Sequence, residues 1–246
     1  MSWIEGRIVE RREWAEGLVT LGLDAEIEPY SAGQFVNLGL DIGGTLIRRS
    51  YSIASPPGGP LEFYLNLVEG GVLTPRLFEL PLGAPVHVQK TPQGFFTLGY
   101  VPEAQELWMV ATGTGLGPFM AMLGTDEPWQ RFERIVVVHG VRIAAHLAYK
   151  DELAELSRTH GGRLVCVPAV TREPDAEGVL HGRITALFEQ GELERAAGLT
   201  LSPGRSHLML CGNPGMIADT IELLKGRGLR KHRARNPGHI SIEKYW

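Results

Sequence analysis

Residues 107–118 read LWMVATGTGLGP, an apolar run that leads into a glycine-rich turn. An apolar run without polar alternation is typical of a parallel strand that is buried on both faces. Three further runs of this kind follow, at residues 135–138, 164–167 and 208–211. Helical stretches at 149–159 and 216–225 separate them. The pattern predicts a doubly wound α/β domain with a parallel sheet, which we assign to residues 101–246.

The first hundred residues follow a different pattern. Short alternating or β-branched runs, such as 33–38 and 61–67, are separated by Gly and Pro. This pattern predicts an antiparallel β-barrel over residues 1–100. Side chains of a strand alternate between its two faces, so Tyr64 and Asn66 are expected on the face that can meet solvent or a ligand.

Composition limits the possible functions. The chain has 246 residues, 43% hydrophobic content and a net charge of -4. This balance gives no basic field, so we expect no nucleic-acid partner. Because no long apolar stretch occurs, we expect no membrane span and a cytoplasmic location. The 2 Cys, Cys166 and Cys211, are too few for a metal cluster, so we expect no bound metal. Cys166 lies inside an apolar run and is expected in the core.

A four-residue segment, RSYS at 49–52, carries candidate groups for a flavin nucleotide. The Arg49 guanidinium can bind a pyrophosphate, the Tyr51 ring can stack on a flavin, and the Ser52 hydroxyl can reach flavin N5. An edge strand with a solvated arginine and a packed tyrosine would have the same residues. Flavin binding and plain packing therefore both remain open on this segment alone.

The segment GGVLTP at 70–75 has the composition of a loop that leads into a helix. We expect Thr74 to be the N-cap and Pro75 to be the first helical residue. The free N–H groups and the positive dipole end of such a helix would suit a diphosphate. An ordinary capped helix after a hairpin is the alternative.

Two features of the second half are candidate ligand-binding elements. The turn TGTGLGP at 112–118 lacks the G-x-G-x-x-G spacing of the dinucleotide fingerprint, so it is a different kind of turn. Arg142, Arg172 and Arg183 lie where strands are expected to end. Open α/β sheets bind ligands at the carboxyl ends of their strands, so these arginines could bind a phosphate. Each of them could also be a solvated loop residue.

Together, and in this order, the motifs resemble those of the bacterial ferredoxin/flavodoxin–NADP reductases of the enterobacterial type. The shared motifs are Arg-x-Tyr-Ser, Gly-x-Leu-Thr before a helix, a Gly-Thr-Gly-x-x-Pro turn, a Cys-Gly-x-x-x-Met turn and an aromatic C-terminus. The resemblance extends over essentially the whole chain. It implies an FAD enzyme that exchanges electrons between NADPH and ferredoxin or flavodoxin, by hydride transfer between nicotinamide C4 and FAD N5.

The resemblance also implies roles for particular residues. Tyr245 would cover the outer flavin face, and Trp246 would stack on the adenine. Cys211 would lie beside the nicotinamide, and Glu243 would orient it and relay protons. The implied catalytic residues are Ser52, Cys211, Glu243 and Tyr245. The implied FAD-binding residues are Arg49, Ser50, Tyr51, Ser52, Tyr64, Leu65, Asn66, Gly71, Val72, Leu73, Thr74, Thr114, Tyr245 and Trp246. The implied NADP-binding residues are Val141, Arg142, Thr171, Arg172, Arg183, Gly212 and Asn213.

Several interpretations stay open. Cys211 could be a buried structural thiol, and the aromatic tail could pack into a crevice of the α/β domain. The run at 225–235 contains no acid and is either a solvated face or a docking patch for an acidic ferredoxin or flavodoxin. The alternative functions are the reductase component of an oxygenase system and a non-catalytic flavin-binding redox sensor. We expect the protein to be a monomer.

Overall fold

The computed structural model describes residues 2–245, which form two compact units. The first unit runs to Thr97 and also contains Gly117–Thr125. The second unit contains Leu98–Leu116 and the chain from Asp126 onwards. Among the described residues, no helix is both long enough and apolar enough to cross a membrane.

The first unit is an antiparallel sheet with two helices. Its elements are β1 (Trp3–Ala15), β2 (Leu18–Asp24), β3 (Phe35–Ile42), β4 (Thr45–Ser52), β5 (Leu61–Asn66), α1 (Thr74–Glu79), β6 (Pro85–Gln89) and α2 (Gly117–Leu123). The strand order is β4-β3-β6-β1-β2-β5. Just after β4, the Ala54 N–H donates to the Glu62 carbonyl of β5 at 2.8 Å, so the sheet curves until its two edges meet. The predicted antiparallel barrel is confirmed.

Strand β5 shows how the barrel is filled. Phe63 and Leu65 point into the buried apolar cluster inside it. Tyr64, on the opposite face, is also buried, with 5% of its surface exposed. Helix α2 covers it, because a Cβ built at Gly117 would lie 3.6 Å from Tyr64 Cβ. Tyr64 is therefore not open to solvent, which was one half of the expectation, and its contact with a ligand stays a prediction.

The second unit is a parallel sheet with helices between its strands. Its strands are β7 (Glu106–Thr112), β8 (Arg134–Val141), β9 (Leu164–Val170), β10 (Leu180–His181), β11 (Ser206–Gly212) and β12 (Ile240–Lys244). Its α-helices are α3 (Glu127–Arg131), α4 (Lys150–Thr159), α5 (Ile184–Glu189), α6 (Glu192–Ala197) and α7 (Pro214–Lys225). All neighbouring strands are parallel, which confirms the predicted α/β domain.

The strand order β10-β9-β8-β7-β11-β12 creates a switch point in this sheet. After β7 the chain builds the sheet towards β10 on one side, and it later returns to add β11 and β12 on the other. Ligands of open α/β sheets bind beyond the carboxyl ends of the strands at such a point. The turns that follow β7 and β11 are therefore the ones to inspect for function.

Apolar packing holds the sheet to its helices, with the Trp108 and Phe188 ring centroids 6.2 Å apart. Cys166 in β9 is exposed, so the prediction of a core position is wrong. Strand β10 pairs only with Ala169 and Val170, which leaves the first part of β9 at the edge of the sheet.

One buried histidine links β11 to β12. His207 is 1% exposed, and its Nε2 lies 2.9 Å from Ser241 Oγ. Burial, together with the charges of His232, His239 and Arg131, lowers its pKa to about 3. The imidazole is therefore neutral in the folded protein at neutral pH.

We expect His207 to make the folded state less stable in acid. The unfolded residue takes up a proton near pH 6.5 but the folded one only near pH 3, so its contribution is complete above pH 6.5 and is lost as the pH falls. The loss should be about 1.4 kcal/mol per pH unit within this window. Urea unfolding of the wild type and of His207→Gln at a series of pH values measures the slope.

The control is His181→Gln, which removes an exposed imidazole and should leave the slope unchanged. Equal slopes for the wild type and His207→Gln would contradict the prediction.

Candidate functional site

The end of β4 carries an arginine and a tyrosine on one face, because residues two apart in a strand point the same way. Arg49 is exposed, and its Nη1 donates to the Arg48 carbonyl at 2.7 Å. Tyr51 is half-buried against the barrel core. Burial raises the pKa of Tyr51 to about 12, although the charge of Arg49 lowers it. The pair offers a cation for an anionic group beside a neutral aromatic ring.

The two serines of this segment point to the other face. The Ser50 hydroxyl donates to Asn37 Oδ1 of β3 at 3.0 Å. Ser52 ends the strand and is buried. Ser50 therefore has a protein partner in the neighbouring strand, and Ser52 is the last residue of β4 before a loop.

The loop before α1 closes on itself. Thr74 Oγ1 accepts the Val68 N–H at 3.0 Å, and the Gly71 N–H donates to the Val68 carbonyl at 2.9 Å. A Cβ at Gly71 would lie 2.9 Å from that same carbonyl oxygen, so only glycine fits without a shift. The loop is a tight cradle of backbone.

Helix α1 begins one residue earlier than expected. Thr74 is its first residue and Leu73 is the N-cap, without a side-chain capping bond. The prediction that Thr74 is the N-cap is wrong, because its hydroxyl closes the loop instead. Leu73 is buried in the barrel core, and Val72 is exposed.

The neighbouring residues of β5 present little side-chain surface. Tyr64 and Leu65 are buried, and Asn66 is half-buried with its Nδ2 3.4 Å from the Leu67 carbonyl. A ligand at this strand would meet the Asn66 side chain and backbone groups more readily than the Leu65 side chain.

In the second unit, the turns after β7 and β11 interlock. Thr112 Oγ1 accepts the Asn213 N–H at 2.8 Å. A Cβ at Gly115 would lie 2.5 Å from the Cys211 carbonyl oxygen. Gly212 has a φ of 122°, and a Cβ there would overlap Thr112 Oγ1. Neither turn can therefore carry a side chain where the two backbones meet.

A row of side chains crosses the sheet just before these turns. Register pairs join His139 of β8 to Ala111 of β7, Ala111 to Cys211 of β11, and Cys211 to Glu243 of β12. Paired residues of neighbouring parallel strands share a face, about 4.8 Å apart. The row thus puts an imidazole, a thiol and a carboxylate along one line.

The thiol in this row is neutral. Cys211 is fully buried, and burial together with the charge of Glu243 raises its pKa well above the ordinary value, although a hydrogen bond from Tyr245 lowers it. A thiol that stays protonated is not a nucleophile at neutral pH. Cys211 can therefore act as a neutral contact for a ligand and not as a thiolate.

Tyr245 is tied to both turns. Its N–H donates to the Gly212 carbonyl at 3.0 Å, and its hydroxyl lies 3.5 Å from the Thr114 carbonyl. These contacts bring together Thr114, Cys211, Gly212 and Tyr245, which were all candidates from the sequence. Trp246 lies outside the described residues.

The predicted arginines follow neighbouring strands β8, β9 and β10. Backbone bonds from Arg172 N to the Arg142 carbonyl (2.8 Å) and from Thr171 N to the Val141 carbonyl (3.1 Å) hold two strand ends side by side. Arg183 precedes α5. All three arginines are exposed, and within the described part of the chain none of their guanidinium groups forms an ion pair or a hydrogen bond.

Sequence reasoning missed three residues that hold these loops. Thr112 locks the two turns, His139 contacts Gly113, and Glu173 Oε2 accepts the Ala144 N–H at 2.5 Å. His139 could have been noticed, because an imidazole in an otherwise apolar strand needs a buried partner. The contacts of Thr112 and Glu173 are long-range and left no local signal.

Among residues 2–245, no group of three or more His, Cys, Asp or Glu is arranged to hold a metal.

The interlock predicts the cost of filling it. Gly115→Ala should lower the free energy of unfolding by about 1–3 kcal/mol, because the added methyl group meets a backbone carbonyl that cannot move aside. Gly226→Ala is the matched control, since its Cβ would lie 3.5 Å from the Leu223 carbonyl, an ordinary contact. Urea unfolding of both variants measures the difference. Similar stabilities for the two would contradict the interlock.

Comparison with known proteins agrees with this geometry. Residues 16–98 match the family described as oxidoreductase FAD-binding domain, and residues 109–222 match the oxidoreductase NAD-binding domain. Flavodoxin/ferredoxin–NADP reductases of Escherichia coli K12 and Shigella flexneri are each 44% identical over 247 residues, covering 100% of this chain and 99% of the relative.

A solved structure of similar shape is that of a ferredoxin NADP+ reductase from Neisseria gonorrhoeae with bound FAD and NADP. It is 30% identical, has a TM-score of 0.93 and covers 99% of both chains. An Amycolatopsis cytochrome P450 reductase, 28% identical with a TM-score of 0.80, covers 98% of this chain and 70% of that one. On the full-length identity to the enterobacterial proteins, this chain belongs to the flavodoxin/ferredoxin–NADP reductase family.

Proposed function

We propose that this protein is an FAD-dependent reductase that exchanges electrons between NADPH and a ferredoxin or a flavodoxin. One observation carries the choice of NADPH: three exposed arginines follow neighbouring strand ends, with no acid to neutralise them in the described chain. Such a set of cations suits an anion, and the 2′-phosphate that distinguishes NADPH from NADH is a dianion of suitable size.

The residues of the first unit fit FAD. Arg49 offers guanidinium donors for the diphosphate, Tyr51 a neutral ring for stacking, and Ser52 a hydroxyl for the flavin N5. The loop before α1 would present its backbone to the diphosphate, and Gly71 keeps it tight, because a Cβ there would lie 2.9 Å from the Val68 carbonyl oxygen. When bound, FAD supplies the chemistry that couples a hydride donor to a one-electron carrier.

The other implied FAD contacts would be made mainly by backbone groups. Ser50 already has a partner in Asn37, so its contact would be through the backbone. Four further residues would also contribute mainly backbone groups. The side chains of Leu65 and Leu73 are buried, that of Val72 is exposed, and the Thr74 hydroxyl closes the loop.

The residues of the second unit fit a nicotinamide nucleotide. Arg172 and Arg183 would bind the 2′-phosphate, and Arg142 would contact the nucleotide together with Val141 and Thr171. Gly212 and Asn213 would line the nicotinamide half from the turn after β11. The turn has no room for a Cβ at Gly212, so a ligand would meet the backbone of this residue.

Four residues would act on the reacting groups. Ser52 would hold a proton for N5, and Cys211, as a neutral thiol, would contact the nicotinamide without adding a charge. Glu243 would orient the nicotinamide and pass protons. Tyr245 would cover the flavin and make way for the nicotinamide. For Trp246, adenine stacking stays a prediction, as do a monomeric state and a cytoplasmic location.

The absorption spectrum of the pure protein and anaerobic titration with NADPH and NADH test this proposal. A flavin spectrum that NADPH bleaches at lower concentration than NADH is expected. Arg172→Ala should weaken NADPH roughly 10- to 100-fold and leave NADH almost unchanged, because only NADPH carries the phosphate. Arg195→Ala, an exposed arginine on α6, is the control. Equal losses for both nucleotides would rule out the 2′-phosphate assignment.

The basic run at 225–235 is the proposed docking surface for the carrier. Its members are not equivalent, because Arg227 makes paired hydrogen bonds to Glu194 at 2.8 and 2.9 Å. Arg233 and Asn236 close a turn through two backbone hydrogen bonds of 2.9 and 3.1 Å. Lys231, Arg233 and Arg235 are exposed, and within residues 2–245 their side chains have no acidic partner. These three cations would face an acidic carrier.

Reversing charge at this turn should slow the protein carrier selectively. Arg233→Glu combined with Arg235→Glu should lower the rate of ferredoxin or flavodoxin reduction roughly tenfold at low salt, because steering by charge is lost. Reduction of a small neutral dye should not change. Lys150→Glu combined with Arg158→Glu, on α4, makes the same change in net charge. If both double variants slow the carrier alike, the turn is not the docking surface.

A further inference from the structure

His139 is a buried titratable residue that the proposed mechanism does not use. It lies in β8 with 4% of its surface exposed, and its Nε2 is 3.0 Å from the Gly113 carbonyl oxygen. A carbonyl oxygen can only accept, so Nε2 must carry the proton. Burial lowers the pKa of His139 to about 4, so the ring is neutral and Nδ1 carries no proton at neutral pH.

The carbonyl that His139 contacts belongs to the turn after β7. Gly113 begins this turn with a φ of 53°. The next residue, Thr114, is buried, and its carbonyl lies 3.5 Å from the Tyr245 hydroxyl. Gly115 then packs against the Cys211 carbonyl. His139 thus holds one end of a turn whose other end meets two proposed site residues.

The turn is therefore held from both sides. On the β11 side, backbone contact at Gly115 and the Thr112 bond to Asn213 fix its height above the sheet. On the β8 side, His139 donates a hydrogen bond to the Gly113 carbonyl, just beyond Thr112, whose backbone pairs with Gly140 of β8. Removing that donor would take the side-chain partner from the Gly113 carbonyl and let the peptide after Thr112 tilt, while the Gly115 end stays locked.

We propose that His139 is a positioning residue for hydride transfer, which acts through the Gly113 carbonyl to set the turn that carries Thr114. It does not touch the reacting groups. The inference rests on the proposed function, because the turn matters only if flavin and nicotinamide meet beside Thr114 and Tyr245. Displacements of about 1 Å in reacting groups can cost up to 100-fold in rate, so a single hydrogen bond is enough to matter.

Two variants separate positioning from packing. His139→Gln keeps an N–H donor near the place of Nε2, whereas His139→Leu keeps an apolar side chain of similar size and has no donor. If His139 only fills space, the leucine variant should be as good as the glutamine variant. If it positions the turn, the glutamine variant should recover activity that the leucine variant loses.

The rate of flavin reduction by NADPH in the FAD-loaded protein is the main measurement. We expect His139→Leu to reduce this rate roughly tenfold or more, with less than about a threefold change in the Kd for NADPH, because the arginines are untouched. His139→Gln should come within about threefold of the wild type. Similar rates for both variants, or losses explained by lower FAD content, would overturn the proposal.

Hydrogen exchange tests the same idea without NADPH. Amides at 113–116 should exchange faster in His139→Leu and regain protection in His139→Gln, and unchanged exchange would overturn the proposal. A wild type that NADPH does not reduce would reject the proposed function but leave this exchange test intact. If neither variant folds, nitrogen NMR of the wild type decides: a ring that is not the neutral Nε2–H tautomer at neutral pH would overturn the proposal.

Discussion

The close contact between the turns after β7 and β11 is the constraint on which the rest of the site depends. Neighbouring parallel strands lie about 4.8 Å apart. Two turns that follow such strands at the same level of the sheet therefore leave little room for side chains between them. Here Gly115 and Gly212 fit by having no Cβ, and Thr112 bridges the two turns with its hydroxyl. The start of α7 and the backbone of Tyr245 are both fixed relative to this contact.

Charge is distributed unevenly around these turns. In the row just before them, Cys211 and His139 are buried and neutral, and Glu243 supplies a carboxylate next to Cys211. The unpaired cations lie farther out, at the ends of β8 and β9 and in the turn that Arg233 and Asn236 close. The row beside the turns therefore holds no cation, and its one charged group is the Glu243 carboxylate. The outer cations can then serve recognition alone.

The fold could be predicted well because parallel strands leave a strong local pattern. The apolar runs at 107–111, 135–138 and 208–211 all became strands of the second sheet. Prediction failed where a distant segment decides the environment. Tyr64 is buried because α2, about fifty residues later, covers it. Cys166 is exposed although it lies inside an apolar run, in the part of β9 that β10 does not pair with.

The site was predicted at the level of residue types more than of contacts. Thr74 was expected to cap α1, but its hydroxyl accepts the Val68 N–H and closes the loop instead. The sequence does not reveal whether such a hydroxyl will bind an N–H of the helix or one of the preceding loop. The roles of Thr112 and His139 depend on partners in other strands. The ligand roles assigned by resemblance stay predictions, since they concern contacts with FAD and NADPH and not contacts within the chain.

The assignment of α2 to the first unit has a consequence for recombination between relatives. The chain passes from one unit to the other after Thr97, after Leu116 and after Thr125. A chimaera joined once near residue 98 would inherit its barrel from one parent and the helix that covers Tyr64 from the other. The two halves are therefore not interchangeable cassettes, and successful exchange would have to carry Gly117–Thr125 along with the barrel.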